Sequence, residues 1–211
     1  ANCREAFSFG FDAALTCDPA TLNESLNRSK PRGRPVQANI ARDKESAVTD
    51  YIKERVSLTG VGVHSGEPST VTFHPAEPDT GIIFLKNSAE GTADIEVPAS
   101  HRFVVATALS TVLGSEEACS IGTVEHLMAS LGGLGIDNVI VEIDGDEVPI
   151  MDGSAEAFCD VILQAGLRKQ SAQRRYIKVL KPVKVSIGDA FGELMPSNSR
   201  RVEVEIDFAD T

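Results

Sequence analysis

The sequence has no tryptophan, and only 5% of its residues are aromatic. No apolar run approaches the roughly 18 residues that a membrane-spanning helix requires. Basic residues are also in the minority, because 20 Lys and Arg stand against 31 Asp and Glu, for a net charge of −11. This balance argues against a protein that mainly coats nucleic acid or anionic lipid. We therefore expect no nucleic-acid partner and at most peripheral contact with a membrane.

The cysteines are few and scattered. Cys3, Cys17, Cys119 and Cys159 contain no C-x-x-C pair, so neither a zinc ribbon nor a redox motif is predicted. A chain with 42% hydrophobic residues can bury a core without disulfides. No signal peptide is recognisable near the start, and we expect a reducing cytoplasm. Because the sequence begins at Ala1 and not at Met, we expect a fragment or an uncertain start.

Residues 1–47 differ from the rest of the chain. They are polar, contain proline, follow neither hydrophobic period and carry seven basic and six acidic residues, against 13 and 25 in residues 48–211. We predict a disordered extension or linker here. Its SKPRGRP stretch, residues 29–35, resembles the core of an AT-hook, which binds the minor groove of DNA. A single copy in an acidic protein is more typical of a solvated basic linker.

An ordered pattern begins at residue 48. Alternating apolar residues predict strands, and apolar residues at helical spacing predict two helices. The strands are expected within 48–58, 69–75, 81–85, 102–114, 137–144, 174–188 and 200–210, and the helices at 123–133 and 155–165. Ser154 is expected to cap the second helix and Gly166 to end it.

This order of elements predicts an α+β fold. We expect a two-layer sandwich in which a largely antiparallel sheet is covered by two helices on one face. Residues 48–170 would form this first domain. Residues 171–211 contain strands without a covering helix, so we interpret them as the first strands of a second, similar domain that stops short.

The stretch GTVEHLMASLGG, residues 122–133, carries an acid and an imidazole at the start of the first helix. If Thr123 is the N-cap, Glu125 lies in the first turn, where its charge favours the helix dipole. His126 is either a core histidine or a metal ligand. Neighbours on a helix point about 100° apart, so the two could not ligate one ion together. They could divide the work, with His126 on a metal and Glu125 accepting a proton.

The other candidate residues are weaker. His64 follows a glycine-rich GVGV, but a strand comes next, so the dinucleotide-binding pattern fails. Two roles are left for His64: a residue of a plain β-turn, or a contact to a substrate. His74 precedes a proline at a strand end and is expected to be structural, and His101 has no patterned partner. Asp152 is expected to be a turn or capping carboxylate and not a general base.

Four blocks carry a family resemblance. They are TGVGVHSG (59–66), HPAEPDTGIIF (74–84), GTVEHLMASLGGLGIDN (122–138) and EVPIMDGSAEAF (147–158). In this order they resemble UDP-3-O-acyl-N-acetylglucosamine deacetylase, the zinc-dependent enzyme family of the committed step of lipid A synthesis in Gram-negative bacteria. The resemblance runs from about residue 50 to the C-terminus.

The resemblance implies a function and roles for two residues. It implies two similar domains with the active site between them, Glu125 as the general base and His126 as one of three protein ligands to a catalytic Zn²⁺. The metal would polarise the acetamide carbonyl of a UDP-sugar lipid and activate water, giving acetate and a free amine. It assigns no substrate-binding residue in this chain and no obligate protein partner.

The chain also departs from the family pattern. The remaining zinc ligands and the general-acid histidine lie in a downstream segment in the family, and this sequence ends at Thr211 before any such segment. We therefore expect half a site, which binds zinc poorly and is inactive alone. The alternative is a non-catalytic binding or regulatory protein that keeps only the first domain.

Overall fold

The structure is a computed structural model that describes residues 36–39, 48–87, 94–115, 119–198 and 201–205. Most of the extension predicted over residues 1–47 lies outside these residues, including the AT-hook-like segment 29–35. Only Val36–Asn39 of the extension is described, as strand β1. The predicted domain boundaries stay a prediction.

The described residues form short strands and two helices. The strands up to the first helix are β2 (Val48–Ile52), β3 (Val56–Val61), β4 (Pro68–Pro75), β5 (Ile82–Lys86), β6 (Ile95–Pro98), β7 (Val104–Ala106), β8 (Val112–Ser115) and β9 (Cys119–Ile121), with a 3₁₀ turn at His101–Phe103. Helix α1 (Glu125–Leu134), strand β10 (Val139–Ile143) and helix α2 (Glu156–Ala165) follow. The last strands are β11 (Leu167–Gln173), β12 (Val183–Ile187), β13 (Ala190–Leu194) and β14 (Arg201–Val204).

The main sheet has five strands in the order β3-β4-β10-β5-β6. Its central strand, β10, runs antiparallel to β4 and parallel to β5, so that Val141 lies between Phe73 and Phe84. The remaining strands form a three-stranded sheet, β7-β8-β9, and the two-stranded pairs β1-β14, β2-β11 and β12-β13. The predicted α+β fold with a largely antiparallel sheet is confirmed.

The core lies between this sheet and the two helices. Alternate residues of β10 are buried, as expected for a strand with one covered face, and β4 buries Ser69, Val71 and Phe73 together with Thr72. The helices contribute buried side chains at helical spacing, and they pack against each other. The largest of these side chains are Leu127 and Leu131 of α1 and Phe158 and Ile162 of α2. No helix in the described ranges has the length and apolarity to cross a membrane.

The helix ends differ in part from the prediction. Thr123 is not the N-cap of α1, because its hydroxyl donates a hydrogen bond to Glu147 and the helix begins at Glu125. The second helix begins at Glu156, with Ala155 and not Ser154 at the N-cap position. Oγ of Ser154 still accepts a hydrogen bond from the N–H of Glu156 at 3.1 Å, one residue earlier than the predicted cap. The helix ends at Gly166, whose φ of 78° favours glycine.

The region after residue 170 was predicted less well. Strand β11 was not predicted, since its sequence LRKQSAQ is polar, yet it pairs with β2. A strand was expected from residue 174, but residues 174–182 form none, and Pro182 has no N–H for a ladder. The apolar side chains of β12 and β13 are exposed, as at Ile187 (53%) and Phe191 (62%). That they begin a second domain stays a prediction.

Candidate functional site

The first turn of α1 places Glu125 and His126 next to each other, and both are half-buried. The backbone N–H of Thr111 donates to the Glu125 carboxylate, 3.2 Å from each oxygen. The carbonyl of Thr111 accepts a hydrogen bond from the N–H of Val124 at 3.4 Å. The residue that precedes β8 therefore fixes the start of α1, and the Glu125 carboxylate, from one side.

A second set of contacts fixes the start of α1 from the other side. Oγ1 of Thr123 donates to Oε1 of Glu147 at 2.7 Å. The neighbouring backbone is bonded as well, because the N–H of Gly122 donates to the carbonyl of Asp146 at 2.9 Å. The N–H of Val148 returns a hydrogen bond to the carbonyl of Gly122 at 3.0 Å. The residues that precede α1 are thus held by hydrogen bonds to the loop around Glu147.

The same carboxylate holds the turn that carries His64. The N–H of His64 lies 3.1 and 3.2 Å from the two Glu147 oxygens, and the N–H of Ser65 donates to Oε2 at 2.8 Å. The turn is closed by a hydrogen bond from Gly66 N–H to the Gly62 carbonyl at 3.0 Å. His64 therefore lies in a turn, as expected, with an exposed side chain. A substrate contact for it stays a prediction.

Asp152 lies in the loop before α2 and has the turn role that the sequence predicted. Its Oδ1 accepts hydrogen bonds from the N–H of Ser154 at 3.0 Å and from its hydroxyl at 2.8 Å. These bonds lower the pKa of the exposed Asp152 carboxyl, and the nearby His126 imidazole lowers it a little further.

The remaining histidines lie elsewhere in the fold. His74 is in β4, and its Nε2 lies 2.7 Å from Oε2 of Glu142 on the neighbouring strand β10. The hydrogen bonds from His74 and Asn87 lower the pKa of Glu142. His101 begins the 3₁₀ turn after β6. A structural role for His74 agrees with this cross-strand pair.

The described residues fit one metal ligand and not a complete zinc centre. Catalytic zinc sites generally use three protein ligands. Within the ranges that the structure covers, no three His, Cys, Asp or Glu side chains gather closely enough to hold an ion. His126 supplies one imidazole at the candidate site. Burial raises the pKa of the Cys119 thiol, which disfavours the thiolate that zinc binds.

Glu147 is the residue that sequence reasoning missed. Its side chain is buried, with 5% exposure. Burial alone would raise the pKa of Glu147, but the hydrogen bonds from Thr123, Ser65 and His64 lower it to about 2. The available signal was its position in EVPIM, where an acid stands directly before apolar residues. A buried, ionised carboxylate that accepts several hydrogen bonds has a structural role, unlike a charge on the surface.

The family model of UDP-3-O-acyl N-acetylglycosamine deacetylase matches residues 49–211. The chain belongs to this family. It is 45% identical over 157 residues to the UDP-3-O-acyl-N-acetylglucosamine deacetylase of Vibrio vulnificus (strain YJ016), covering 74% of this chain and 51% of the relative.

Other relatives agree. The enzyme of the same name from Haemophilus influenzae (strain PittEE) is 43% identical over 157 residues, again 74% of this chain and 51% of the relative. That of Brucella ovis (strain ATCC 25840 / 63/290 / NCTC 10512) is 46% identical over 163 residues, 77% of this chain and 56% of the relative. The chain therefore spans about half the length of the curated relatives that it matches. The resemblance read from the four sequence blocks is confirmed.

Proposed function

We propose that the whole protein hydrolyses the N-acetyl group of a UDP-3-O-acyl-N-acetylglucosamine to acetate and the free amine, as a zinc-dependent step of lipid A synthesis. The observation that carries the proposal is the Glu125–His126 pair in the first turn of α1, with the Glu125 carboxylate oriented by the N–H of Thr111. The family match over residues 49–211 supports it. The proposed substrate is a small UDP-sugar lipid, and the proposed location is the cytoplasm.

Each of the two residues has a separate proposed role. Glu125 accepts a proton from the attacking water, since its carboxylate is half-buried and its two oxygens share a single backbone donor, leaving lone pairs available. His126 serves as one ligand of the zinc ion. When bound, zinc supplies Lewis acidity toward the acetamide carbonyl. The described residues offer no second and third ligand to join His126, so we propose that further protein ligands come from other parts of the protein.

The experiment uses the protein encoded by the full open reading frame that contains this sequence. Acetate release from UDP-3-O-acyl-N-acetylglucosamine and zinc content would be measured for the wild type, Glu125→Gln and His126→Gln. Loss of a general base costs about 10²- to 10⁴-fold in rate, so Glu125→Gln should lose this much activity and keep its zinc. His126→Gln should lose zinc as well as activity.

Glu156→Gln is the matched control. Glu156 occupies the equivalent position in the first turn of α2, where it is exposed. Its loss should change neither zinc content nor rate. A wild-type protein that holds zinc but releases no acetate would contradict the proposal and favour a non-catalytic binding protein. The same measurements on the 211-residue chain test the expectation that it binds zinc poorly and is inactive alone.

A further inference from the structure

Glu147 connects three segments that are far apart in the sequence. Its carboxylate accepts hydrogen bonds from the backbone of the 62–66 turn and from the Thr123 hydroxyl before α1. Its own backbone lies beside Gly122 in a parallel bridge. Because the carboxylate is buried, water cannot readily replace it as the hydrogen-bond acceptor of these donors. Glu147 therefore fixes how the three segments meet.

The carboxylate of Glu147 packs closely against the turn at Gly62. A Cβ atom added to Gly62 would lie 2.3 Å from Oε2 of Glu147 and 2.2 Å from Oγ of Ser65. The turn backbone therefore lies so close to the carboxylate that only glycine fits at residue 62 without moving a side chain. A displacement of the Glu147 side chain must move the turn, the segment before α1, or both.

The backbone conformation of Thr123 links its hydrogen bond with Glu147 to the Glu125–His126 pair. Thr123 has a φ of 56°, which is uncommon for a β-branched residue and persists only where its surroundings hold it. The side-chain hydrogen bond to Glu147 helps to hold it, together with the backbone hydrogen bonds of Gly122 and Val124 on either side. Glu125 and His126 follow two and three residues later, so the conformation of Thr123 sets the direction in which the chain enters α1.

We propose that Glu147 is a positioning residue for the Glu125–His126 pair. It acts through the Thr123 hydroxyl, and it does not contact the reacting atoms itself. The inference rests on the deacetylase function proposed above. Its structural part, that Glu147 determines the placement of the first turn of α1, can be tested without activity.

The structural part is tested by NMR on the 211-residue chain. In Glu147→Gln, the backbone amide signals of residues 123–126 and the ring nitrogen signals of His126 should shift, because one amide oxygen cannot accept from all the donors of the carboxylate. Glu142→Gln is the control, since Glu142 pairs with His74 between β4 and β10. It should leave the signals of residues 123–126 in place. Unchanged signals in a folded Glu147→Gln protein would overturn the inference.

The functional part uses the protein from the full open reading frame. Glu147→Gln should reduce kcat about 10- to 100-fold with KM little changed, as is usual when a residue that orients a catalytic group is lost. Folded fraction and zinc content are measured on the same samples, so that lost protein is not counted as lost rate. An unchanged kcat in the folded variant would overturn the inference.

If Glu147→Gln does not fold, two Thr123 variants test whether the hydrogen bond between Thr123 and Glu147 positions the Glu125–His126 pair. Thr123→Val removes the hydroxyl and keeps the shape of the side chain, and it should reduce kcat in the same direction. Thr123→Ser restores the hydroxyl and should recover most of the loss. Equal kcat for the two variants would overturn the inference. If the wild type releases no acetate, the proposed function fails, while the NMR shifts still decide whether Glu147 places the first turn of α1.

Discussion

Oγ1 of Thr123 donates a 2.7 Å hydrogen bond to Oε1 of Glu147, and the two residues are only 4% and 5% exposed. An ionised carboxylate in such a place is stable only when hydrogen bonds replace the lost water. The donors come from the Thr123 hydroxyl and from the backbone of His64 and Ser65. This small network joins the glycine-rich turn to the start of the helix that carries Glu125 and His126.

The Glu147 network makes stability depend on pH on the acidic side. The pKa of Glu147 falls from 4.5 to about 2 on folding, so its stabilisation is present above about pH 4.5 and is lost as the pH falls toward 2. By linkage this amounts to roughly 3 kcal/mol. Urea unfolding of the wild type and Glu147→Gln between pH 6 and about 2.5 checks this. The pH slope should be smaller in the variant, and parallel slopes would contradict the prediction.

Arg174 is expected to be important for stability. Its side chain is 7% exposed, its Nε donates to both oxygens of Asp137 at 2.8 and 2.9 Å, and its Nη2 lies 3.1 Å from Asp50. Arg174→Ala leaves two carboxylates without their cation and should cost roughly 3 kcal/mol of unfolding free energy. Urea unfolding at neutral pH measures it.

The neighbouring arginine gives a matched control for this experiment. Arg175 is 86% exposed and lies 4.0 Å from Asp79. An exposed pair of this kind contributes little, so Arg175→Ala should change the unfolding free energy by less than about 0.5 kcal/mol. Equal losses for the two arginines would show that the burial of Arg174 does not matter.

Gly62 is expected to tolerate no side chain. The nearest atoms to an added Cβ are Oγ of Ser65 at 2.2 Å and Oε2 of Glu147 at 2.3 Å, so Gly62→Ala must displace the buried Glu147 carboxylate and the Ser65 hydroxyl. A loss of about 1–3 kcal/mol is typical of such overpacking. Gly122→Ala is the comparison, because its added Cβ would meet nothing closer than 3.7 Å. Thermal unfolding of both variants should show a clearly lower Tm for Gly62→Ala alone.

The two helices offer a test of the core. Leu127 of α1 is fully buried, whereas Leu163 of α2 is 42% exposed. Leu127→Ala should reduce the unfolding free energy by about 2–5 kcal/mol, since it removes buried methyl groups and leaves a cavity. Leu163→Ala deletes the same atoms from a partly solvated place and should cost much less. Similar losses in urea would contradict the assignment of the buried face.

Patterned elements were predictable from the sequence, because their hydrophobic period reflects the face that they bury. Helix α1 and strand β10 agree with the prediction to within about two residues. Strand β11 was missed for a physical reason. Its sequence is polar, and it is held by pairing with β2 and by Gln170, which donates to the carbonyl of Ala76 at 2.8 Å. Local pattern does not report such long-range pairing.

The candidate site was predictable only in part. The Glu125–His126 pair was visible because both residues share one helical turn. The role of Glu147 was not, because its partners Thr123 and Ser65 come from segments 24 and 82 residues away. Contacts of this range follow from the tertiary fold and leave no periodic mark on the sequence.

The position of β10 in the main sheet has a consequence for the order of events during synthesis. Its two neighbours, β4 and β5, both precede it in the chain, and β10 pairs with each of them. A ribosome therefore releases both flanking strands before the strand that joins them exists. Until Val139–Ile143 has emerged, neither β4 nor β5 has the partner strand that covers its inner edge in the folded sheet. The nascent chain depends on this one late strand to turn two halves into a sheet.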